Sequence, residues 1–468
     1  MSYSVRYLSL FCFKFIRMRI HLIAIGGAAM HNLAIALKDN GYHVTGSDDQ
    51  IFEPSRSRLE KKGLLPNEMG WDATLITEDI DAIILGMHAR EDNPELIKAQ
   101  QLDLLVYSYP EFIYQQSLEK ERVVIAGSHG KTTITSMILH VLKKLNMDFD
   151  YLVGAQIEGF ETMVRLSDAP LIILEGDEYL SSPIDRRPKF HLYDPHIALI
   201  SGIAWDHINV FPTFENYLEQ FELFVGQMMD DAVLTYCQAD ETLDETVNEY
   251  GSHLDLRPYE TPVYTIENGR SFILRGEERV EVSVFGEHNL QNLNGALMVC
   301  EAIGIDEDDF YEAIRDFKGA ARRLEEIAHN DQTVIYKDFA HSPSKLKATV
   351  KAVKQQWPDR KLVACMELHT FSSLTKEFLL EYGGTMEDAD TAIVFFKEET
   401  LAQKRLAPIT TDEVKLAFGR ADIEVFTNSD LLKSRLSGLD LGNSNLLMMS
   451  SGNFGGIDVD AFGKSLLG

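Results

Sequence analysis

The sequence lacks the features of a disulfide-stabilised or nucleic-acid-binding protein. It has four cysteines, Cys12, Cys237, Cys300 and Cys365. They are too far apart to form a metal-binding pair and mostly sit in apolar runs, so we expect buried free thiols in a reducing cytoplasm. Lys and Arg number 44 against 73 Asp and Glu, giving a formal charge of −29. Because affinity for nucleic acid depends on cationic side chains at the phosphates, no nucleic-acid partner is expected.

The chain also lacks the pattern of a membrane anchor or signal peptide at its start. The apolar cluster Tyr7–Ile16 contains Lys14 and is followed by Arg17. It is shorter than the roughly 20 residues that cross a bilayer, and no small-residue cleavage site follows it. We expect no membrane partner, and we expect the folded chain to begin at Met18 after a disordered or misassigned extension.

What the sequence does contain is a repeated alternation of short apolar strands and amphipathic helices, which is typical of parallel sheets. Its length of 468 residues suggests about three domains of roughly 100–200 residues each. Within the middle part, Val263–Phe285 alternates around an Asn268-Gly269 turn and predicts antiparallel strands. The prediction is a three-domain α/β protein with domains at 18–118, 119–317 and 318–468.

A glycine turn follows the first predicted strand. Gly26-Gly27-Ala28-Ala29-Met30 leads into a helical pattern, and Ser47-Asp48 ends the next strand. This is the layout of a dinucleotide-binding turn, but the third glycine is missing, which disfavours a nicotinamide cofactor. Two interpretations stay open: the helix N-terminus holds the pyrophosphate of a nucleotide sugar, or the turn is tight and binds no ligand.

A phosphate-binding loop starts the second predicted domain. The strand Val123–Ala126 runs directly into Gly127-Ser128-His129-Gly130-Lys131-Thr132-Thr133 and then into a helix. Such a loop directs backbone N–H groups at a polyphosphate, with the lysine reaching the β/γ-phosphates and the threonine bound to Mg²⁺. Glycine is needed because a Cβ would block close approach of the backbone. Ala126 stands where the first glycine is usual, a small departure from the motif.

Carboxylates follow the next strands of this domain. Glu175-Gly176-Asp177-Glu178 comes directly after the apolar strand Leu171–Leu174, and Asp206-His207 follows a later strand. The carboxyl ends of parallel strands lie at one edge of a sheet, beside the phosphate loop. Either group alone could be a solvated loop, but together they predict a Mg²⁺ site.

Six motifs occur in an order that one protein family shares: AGSHGKTT, EGDEY, WDHI, GEHNLQNLNGA, GAARRLE and YKDFAHSP. The sequence resembles the Mur ligases, which build the peptide stem of bacterial peptidoglycan, over essentially the whole chain from Met18. The resemblance implies a Rossmann-like N-terminal domain that binds a UDP substrate, a central P-loop ATPase domain, and a Rossmann-like C-terminal domain that binds an amine. ATP and Mg²⁺ are the implied cofactors.

The resemblance also implies roles for individual residues. The matching positions are Lys131 and Thr132 for phosphate and Mg²⁺, Glu175 and His207 for a second metal site, Asn289 and Asn292 near the nucleotide and cleft, and Arg323, Asp338 and His341 from the third domain. Without the resemblance, Arg323 would be interpreted as surface charge and His341 as a helix-entry residue. With it, Lys131, Glu175, His207, Arg323 and Asp338 are the predicted catalytic residues, and His341 is expected to bind substrate.

The sequence departs from the family pattern at two places. Several Mur ligases carry a carbamylated lysine after the motif at Asp206-His207, but Phe214–Val225 contains no lysine. Ser342 stands where one branch commonly has a second histidine. The missing lysine resembles the branch that accepts UDP-N-acetylmuramate, as do the glycine turn and Glu91–Glu95.

The amine substrate is the least determined part of the prediction. The segment Ile184–Phe190 after EGDEY resembles the members that attach the tripeptide L-Ala-γ-D-Glu-meso-diaminopimelate, in recycling, more than those that add alanine, in biosynthesis. A tripeptide with several carboxylates needs cationic groups in the third domain, and Lys337, Lys345 and Lys376 are candidates. The predicted reaction joins the lactyl carboxylate of UDP-N-acetylmuramate to this amine through an acyl phosphate.

Two other classes of protein are alternatives. Folate polyglutamate synthases share the ligase architecture but lack the first domain with its turn at Gly26–Met30. A non-enzymatic nucleotide switch would also need a phosphate loop, although the Asn-Lys-x-Asp type loop that selects guanine is missing here. Slow ATP hydrolysis that does not respond to UDP-N-acetylmuramate and an amine would favour the switch.

Overall fold

The computed structural model describes residues 18–157, 159–205, 210–319 and 323–468. Asp206 and His207, which the sequence predicts as metal-site residues, lie outside the described residues. The described residues pack as two compact units: the first is drawn from the ranges 18–127, 147–234 and 245–256, and the second from the ranges 128–146, 235–244 and 257–468.

The first unit contains a parallel sheet with strand order β2-β1-β3-β4. Its strands are β1 Arg19–Ile23, β2 His43–Ser47, β3 Ala82–Leu85 and β4 Val106–Ser108, and the helices between and after them are α1 Ala28–Asp39, α2 Ser55–Lys61, α3 Pro94–Gln101 and α4 Tyr109–Gln116. Asn93 caps α3 ahead of Pro94, and Ser108 with Glu111 forms a capping box on α4. These local signals explain where the two helices begin.

A second sheet carries the phosphate loop at its centre. Its strands are β5 Glu121–Ala126, β6 Asp150–Leu152, β7 Val164–Arg165, β8 Leu171–Glu175, β9 Ile197–Ile200, β10 Val233–Cys237 and β11 Asp255–Tyr259, and the helices in this part of the chain are α5 Lys131–Lys144, α6 Phe214–Gln227 and α7 Glu241–Tyr250. The strand order is β11-β10-β9-β5-β8-β6-β7, and β5 pairs in parallel with both β8 and β9. Strands covered on both faces are largely apolar: β9 is apolar throughout, and β8 is apolar up to its last residue, Glu175.

The second unit begins its long C-terminal part with an antiparallel meander. Strands β12 Tyr264–Glu267, β13 Arg270–Arg275 and β14 Glu278–Val282 are followed by α8 Glu287–Ile303 and α9 Glu307–Ile314. Asn268 and Gly269 both have positive φ, 51° and 74°, as a two-residue hairpin turn of the mirror-image type requires. The prediction of antiparallel strands around this turn is confirmed.

The third sheet lies between two apolar cores, one on each face. Its strands are β15 Glu325–His329, β16 Val334–Asp338, β17 Lys361–Glu367, β18 Thr391–Phe395, β19 Glu424–Phe426 and β20 Ser444–Met449, and its helices are α10 Pro343–Gln356, α11 Lys376–Leu379, α12 Glu398–Gln403, α13 Thr411–Phe418, α14 Ser429–Ser437 and α15 Val459–Leu467. The order is β15-β16-β20-β17-β18-β19, parallel except for β15. The predicted α/β class is therefore confirmed, with one unexpected antiparallel edge strand.

Three of the four cysteines are described, and their state matches the expectation. Cys237, Cys300 and Cys365 are free and buried, and burial raises the pKa of each thiol. Cys12 lies outside the described residues. In the part of the chain that is described, no helix has both the length and the apolar character needed to span a bilayer.

Candidate active site

Two glycines of the phosphate loop are required by packing as well as by conformation. Gly127 has φ +113°, and a Cβ there would collide with the hydroxyl of Ser201. Gly130 has φ +81°, and a Cβ there would collide with the amide of Asn292. Gly130 is also the N-cap of α5, so no side chain of the capping residue covers the amides of the first turn, which begins at Lys131. A loop of this shape suits a polyphosphate.

The predicted asparagine pair lies on α8, which packs against α5. Asn292 lies directly against Gly130, so the structure brings it to the phosphate loop. Asn289 is buried one turn earlier and donates from Nδ2 to the carbonyl of Phe285 at 3.0 Å. The two asparagines therefore share a helix face near the loop. In this structure the side chain of Asn289 also stabilises the start of α8 through its hydrogen bond to Phe285.

Glu175 is the last residue of β8 and lies beside Ile125 of β5 in the sheet register. Its carboxylate is buried and its Oε2 accepts a hydrogen bond from the N–H of Gly154 at 2.7 Å. Carboxylate oxygens are the donors that Mg²⁺ prefers, and the position at a strand end suits a metal ligand. Among the described residues, no group of three or more His, Cys, Asp or Glu side chains forms a metal cluster.

The fully buried phenol of Tyr193 lies near the same carboxylates. Within the described structure its hydroxyl has no hydrogen-bond partner. Burial raises the pKa of Tyr193, and the charges of Asp177 and Glu175 add to this shift. The phenol therefore stays protonated and could donate to an oxygen that is brought to this region.

The other EGDEY side chains are held by neighbours in the first unit. Lys189 Nζ lies 2.6 Å from Asp177 Oδ2, and the hydroxyl of Tyr217 donates to Glu178 at 3.2 Å. Leu180 and Pro188 form an isolated bridge that closes the intervening segment. These partners indicate that Asp177 and Glu178 have structural roles.

Asp338 ends β16 and holds the turn that carries Arg323. It accepts hydrogen bonds from the N–H groups of Leu324 and Ala340, each at 2.6 Å. Burial raises the pKa of Asp338, and the charge of Arg323 opposes this shift. The Arg323 guanidinium lies 4.8 Å from the ring centroid of Phe339. Asp338 thus positions Arg323 by fixing the backbone beside it.

His341 and Ser342 lie between β16 and α10. The ring Nδ1 of His341 is 2.8 Å from the carbonyl oxygen of Phe339, and the His341 carbonyl accepts a hydrogen bond from the Tyr382 hydroxyl. Ser342 is the N-cap residue of α10 but makes no capping hydrogen bond. In the described part of the chain its buried hydroxyl has no partner.

The predicted substrate turn of the first sheet is held together by its own side chains. Asp48 Oδ2 accepts from the N–H of Gly26 at 2.7 Å, and burial raises the pKa of Asp48. The hydroxyl of Ser47 donates to the buried Glu95. Gly27 precedes the first residue of α1, Ala28. Asp48 therefore stabilises the turn, and Ser47 connects the end of β2 to Glu95.

Two of the three lysines expected near the amine are already paired. Lys337 Nζ lies 2.6 Å from Asp460 and 3.1 Å from Glu325, and Lys376 Nζ lies 2.5 Å from Glu413. Their charge is partly compensated within the third-sheet region, and binding of substrate carboxylates by these lysines stays a prediction. The paired residues lie at least 12 positions apart in the sequence. The periodicity of apolar residues within one helix or strand does not predict such pairs.

Comparison with known proteins identifies the class of protein. The chain matches the Mur ligase family, catalytic domain, over residues 19–120, the Mur ligase middle domain over residues 125–300, and the Mur ligase, glutamate ligase domain, over residues 322–451. The chain therefore belongs to the Mur ligase family and is an ATP-dependent ligase that forms an amide bond.

Its relatives place it in the branch named for UDP-N-acetylmuramate. It is 30% identical to the UDP-N-acetylmuramate–L-alanine ligase of Desulforamulus reducens over 80% of this chain and 82% of that one. It is 26% identical to the UDP-N-acetylmuramate–L-alanyl-γ-D-glutamyl-meso-2,6-diaminoheptandioate ligase of Haemophilus influenzae over 94% and 97%. A solved murein peptide ligase from Psychrobacter arcticus shares the fold, with 22% identity, a TM-score of 0.62 and coverage of 96% and 98%.

Proposed function

We propose that this ligase joins the lactyl carboxylate of UDP-N-acetylmuramate to the amino group of L-Ala-γ-D-Glu-meso-diaminopimelate. The supporting observation is the extent of similarity: the tripeptide ligase matches 94% of the chain, whereas the alanine ligase matches 80%. The higher identity of the alanine ligase, 30% against 26%, makes alanine the second candidate. The product returns recycled peptide to peptidoglycan synthesis, in a reducing cytoplasm where the buried thiols stay free.

In this proposal each predicted domain binds one of the three substrates. Residues 18–118 bind the UDP substrate, 119–317 bind ATP, and 318–468 bind the amine. The carboxylate of Asp48 already accepts a hydrogen bond from the N–H of Gly26. The other backbone N–H groups of the glycine turn at Gly26–Met30 face the nucleotide sugar. His341 contributes to substrate binding from the third domain.

The proposed chemistry starts at the phosphate loop. Lys131 neutralises charge on the γ-phosphoryl group while the muramate carboxylate attacks phosphorus and ADP leaves. The amine nitrogen then attacks the acyl carbon, the acyl–phosphate bond breaks, and inorganic phosphate departs as the nitrogen loses a proton. Thr132, Glu175 and His207 are the proposed Mg²⁺ ligands, and bound Mg²⁺ supplies charge neutralisation for the phosphates.

The third domain protects this intermediate. An acyl phosphate reacts with water as well as with an amine, so water must be excluded before the amine attacks. Asp338 fixes the backbone next to Arg323, and we infer that Arg323 meets the developing negative charge. The two residues are proposed to act together, Arg323 by contact and Asp338 by positioning.

A competition experiment tests the amine. The protein is incubated with ATP, Mg²⁺, UDP-N-acetylmuramate and equal concentrations of L-alanine and the tripeptide, and products are separated by mass. We expect the tripeptide adduct to predominate. Predominant UDP-N-acetylmuramoyl-alanine would reject the proposed amine and leave the ligase class intact, while ATP hydrolysis without either adduct would favour a nucleotide switch.

The metal proposal is tested with Glu175→Gln. The amide can still accept the hydrogen bond from Gly154, so the fold is preserved while the charge is lost. We expect the Mg²⁺ concentration for half-maximal ligation to rise several-fold, because one anionic ligand is removed. Glu119→Gln, at an exposed position, is the matched control. An unchanged Mg²⁺ requirement in Glu175→Gln would remove Glu175 from the metal site.

A further inference from the structure

The phosphate loop is bonded directly to the first turn of α10. His129 Nε2 lies 2.8 Å from the hydroxyl of Ser344. The other ring nitrogen, Nδ1, lies 2.7 Å from the carbonyl oxygen of Ser128. A carbonyl can only accept, so Nδ1 carries the proton, and in the neutral ring Nε2 accepts from Ser344. The contact joins residues 215 positions apart, one in the middle-domain match and one in the C-terminal match.

The rest of α10 also lies on middle-domain elements of the second unit. Lys351 Nζ is 2.8 Å from Glu287 at the start of α8. Near the far end, Gln356 Nε2 donates to the carbonyl of Gly269 at 2.7 Å. A helix of 14 residues is roughly 21 Å long, so these contacts are spread along nearly its full length. Among them, His129–Ser344 is the contact made by the phosphate loop itself.

The amino end of α10 carries a buried hydroxyl that does not cap the helix. Ser342 is the N-cap residue, makes no capping bond and is 9% exposed. Its hydroxyl has no partner in the described structure. The segment from Asp338 to Ser342 connects this end to the turn of Arg323. A contact that holds the first turn of α10 therefore also holds Ser342 and the segment that leads back to Asp338 and the turn of Arg323.

We propose that His129 is a positioning residue that holds the amino end of α10 against the phosphate loop while the acyl phosphate exists. The inference rests on the proposed binding of ATP at this loop and goes beyond it, because it gives the loop histidine a partner in the C-terminal domain. Losing the bond leaves the α8 and hairpin contacts of α10 in place. The first turn then loosens, and water reaches the acyl phosphate more often.

The test is a double-mutant cycle on His129→Ala and Ser344→Ala. One side-chain hydrogen bond corresponds to a rate effect of about three- to tenfold. We expect each variant to lower kcat for ligation by that factor, with KM for ATP changed less than twofold in Ser344→Ala. The ratio of phosphate released to amide formed should rise in both. The double variant should be no slower than the slower single variant.

Two further variants separate positioning from a general structural role. His129→Gln offers an amide oxygen to Ser344 and should recover most of the rate. Lys347→Ala changes an exposed residue one turn further along α10 and should leave kcat and the phosphate-to-amide ratio at wild-type values. Thermal melting of each variant checks folding. Ser344 is exposed, so its variant carries the test even if His129→Ala folds poorly.

Several outcomes would overturn the inference. These are a Ser344→Ala enzyme that matches Lys347→Ala, additive effects in the double variant, or an unchanged phosphate-to-amide ratio. All measurements use whichever amine the wild-type enzyme ligates, so an error in the proposed amine does not affect the result. A wild-type enzyme that ligates neither amine would refute the proposed function and, with it, the premise of this inference.

Discussion

Lys131 is the residue whose side chain the proposed chemistry needs most directly. It is the first residue of α5, directly after the N-cap Gly130, where its ammonium can meet the β/γ-phosphates. The residues that shape the loop around it are glycines packed on Ser201 and Asn292. The lysine thus adds charge to a loop whose shape depends on other residues.

Lys131→Ala should abolish ligation while leaving the fold unchanged. Removing one electrostatic stabiliser of a transition state costs about 10²-fold or more in kcat. The measurement is amide formation at saturating ATP, with thermal melting as the folding check and Lys415→Ala, an exposed lysine on α13, as the control. Turnover within tenfold of wild type would show that Lys131 does not contact the transferred phosphoryl group.

Single residues also show where prediction from sequence reaches its limit. The phosphate loop is predictable because glycine, lysine and threonine at this fixed spacing, between a strand and a helix, are typical of a polyphosphate site. The same logic predicts that Asp48 binds substrate, because an acidic residue after the second strand does so in dinucleotide sites. In the structure its carboxylate accepts a hydrogen bond from the N–H of Gly26, and its contact with substrate stays a prediction. Whether a side chain faces a ligand or its own turn depends on side-chain direction, which spacing does not determine.

At the scale of elements, the hairpin between β12 and β13 packs its tip on the end of α10. The ring of Trp357 occupies the space where a Cβ on Gly269 would lie, and the indole N–H of Trp357 donates to the hydroxyl of Tyr336 at 3.0 Å. The hairpin tip is therefore joined to the third sheet through one aromatic side chain.

Gly269→Ala should destabilise the protein more than Gly276→Ala. Both glycines have positive φ, but a Cβ at Gly276 meets nothing within 4 Å. Gly276→Ala should therefore cost only the backbone strain, about 1 kcal/mol. Gly269→Ala should cost about 1–3 kcal/mol more, because the Trp357 ring must move. Melting temperatures provide the comparison, and equal losses would contradict the packing of the hairpin on α10.

The elements that the sequence predicts and those that it does not differ in physical character. Strands buried on both faces, such as β3 and β8, form apolar runs that predict them. The edge strand β15 has the sequence EEIAH and is only partly buried, so it has no such run. The hairpin turn is predictable because Asn-Gly favours positive φ. The His129–Ser344 contact is not, because nothing local encodes a partner so far away in the sequence.

For the whole molecule, histidines that are buried or half-buried link stability to pH. Burial lowers the pKa of His31, His191, His196 and His288, and that of His288 falls to about 4. In the unfolded chain a histidine has its ordinary pKa of about 6.5. Between pH 6.5 and 4 the unfolded state therefore binds more protons than the folded state, and stability falls as the pH falls through this window.

His288→Gln should reduce this acid sensitivity. At pH 5, the shift of His288 alone corresponds to a loss on the order of 2 kcal/mol relative to neutral pH. The free energy of unfolding in urea is compared at pH 7.5 and pH 5, with His43→Gln, at an exposed position, as the control. We expect a smaller drop for His288→Gln than for wild type. An identical drop would mean that His288 titrates normally in the folded protein.

The buried thiols have a practical consequence. Cys237 lies in β10, Cys300 in α8 and Cys365 in β17, so three separate elements each contain one built-in chemical reporter. A buried thiol with a raised pKa reacts with an alkylating reagent only after its surroundings open. The order in which the three sites become alkylated, read by peptide mass, would therefore show which element opens first, without any engineered label.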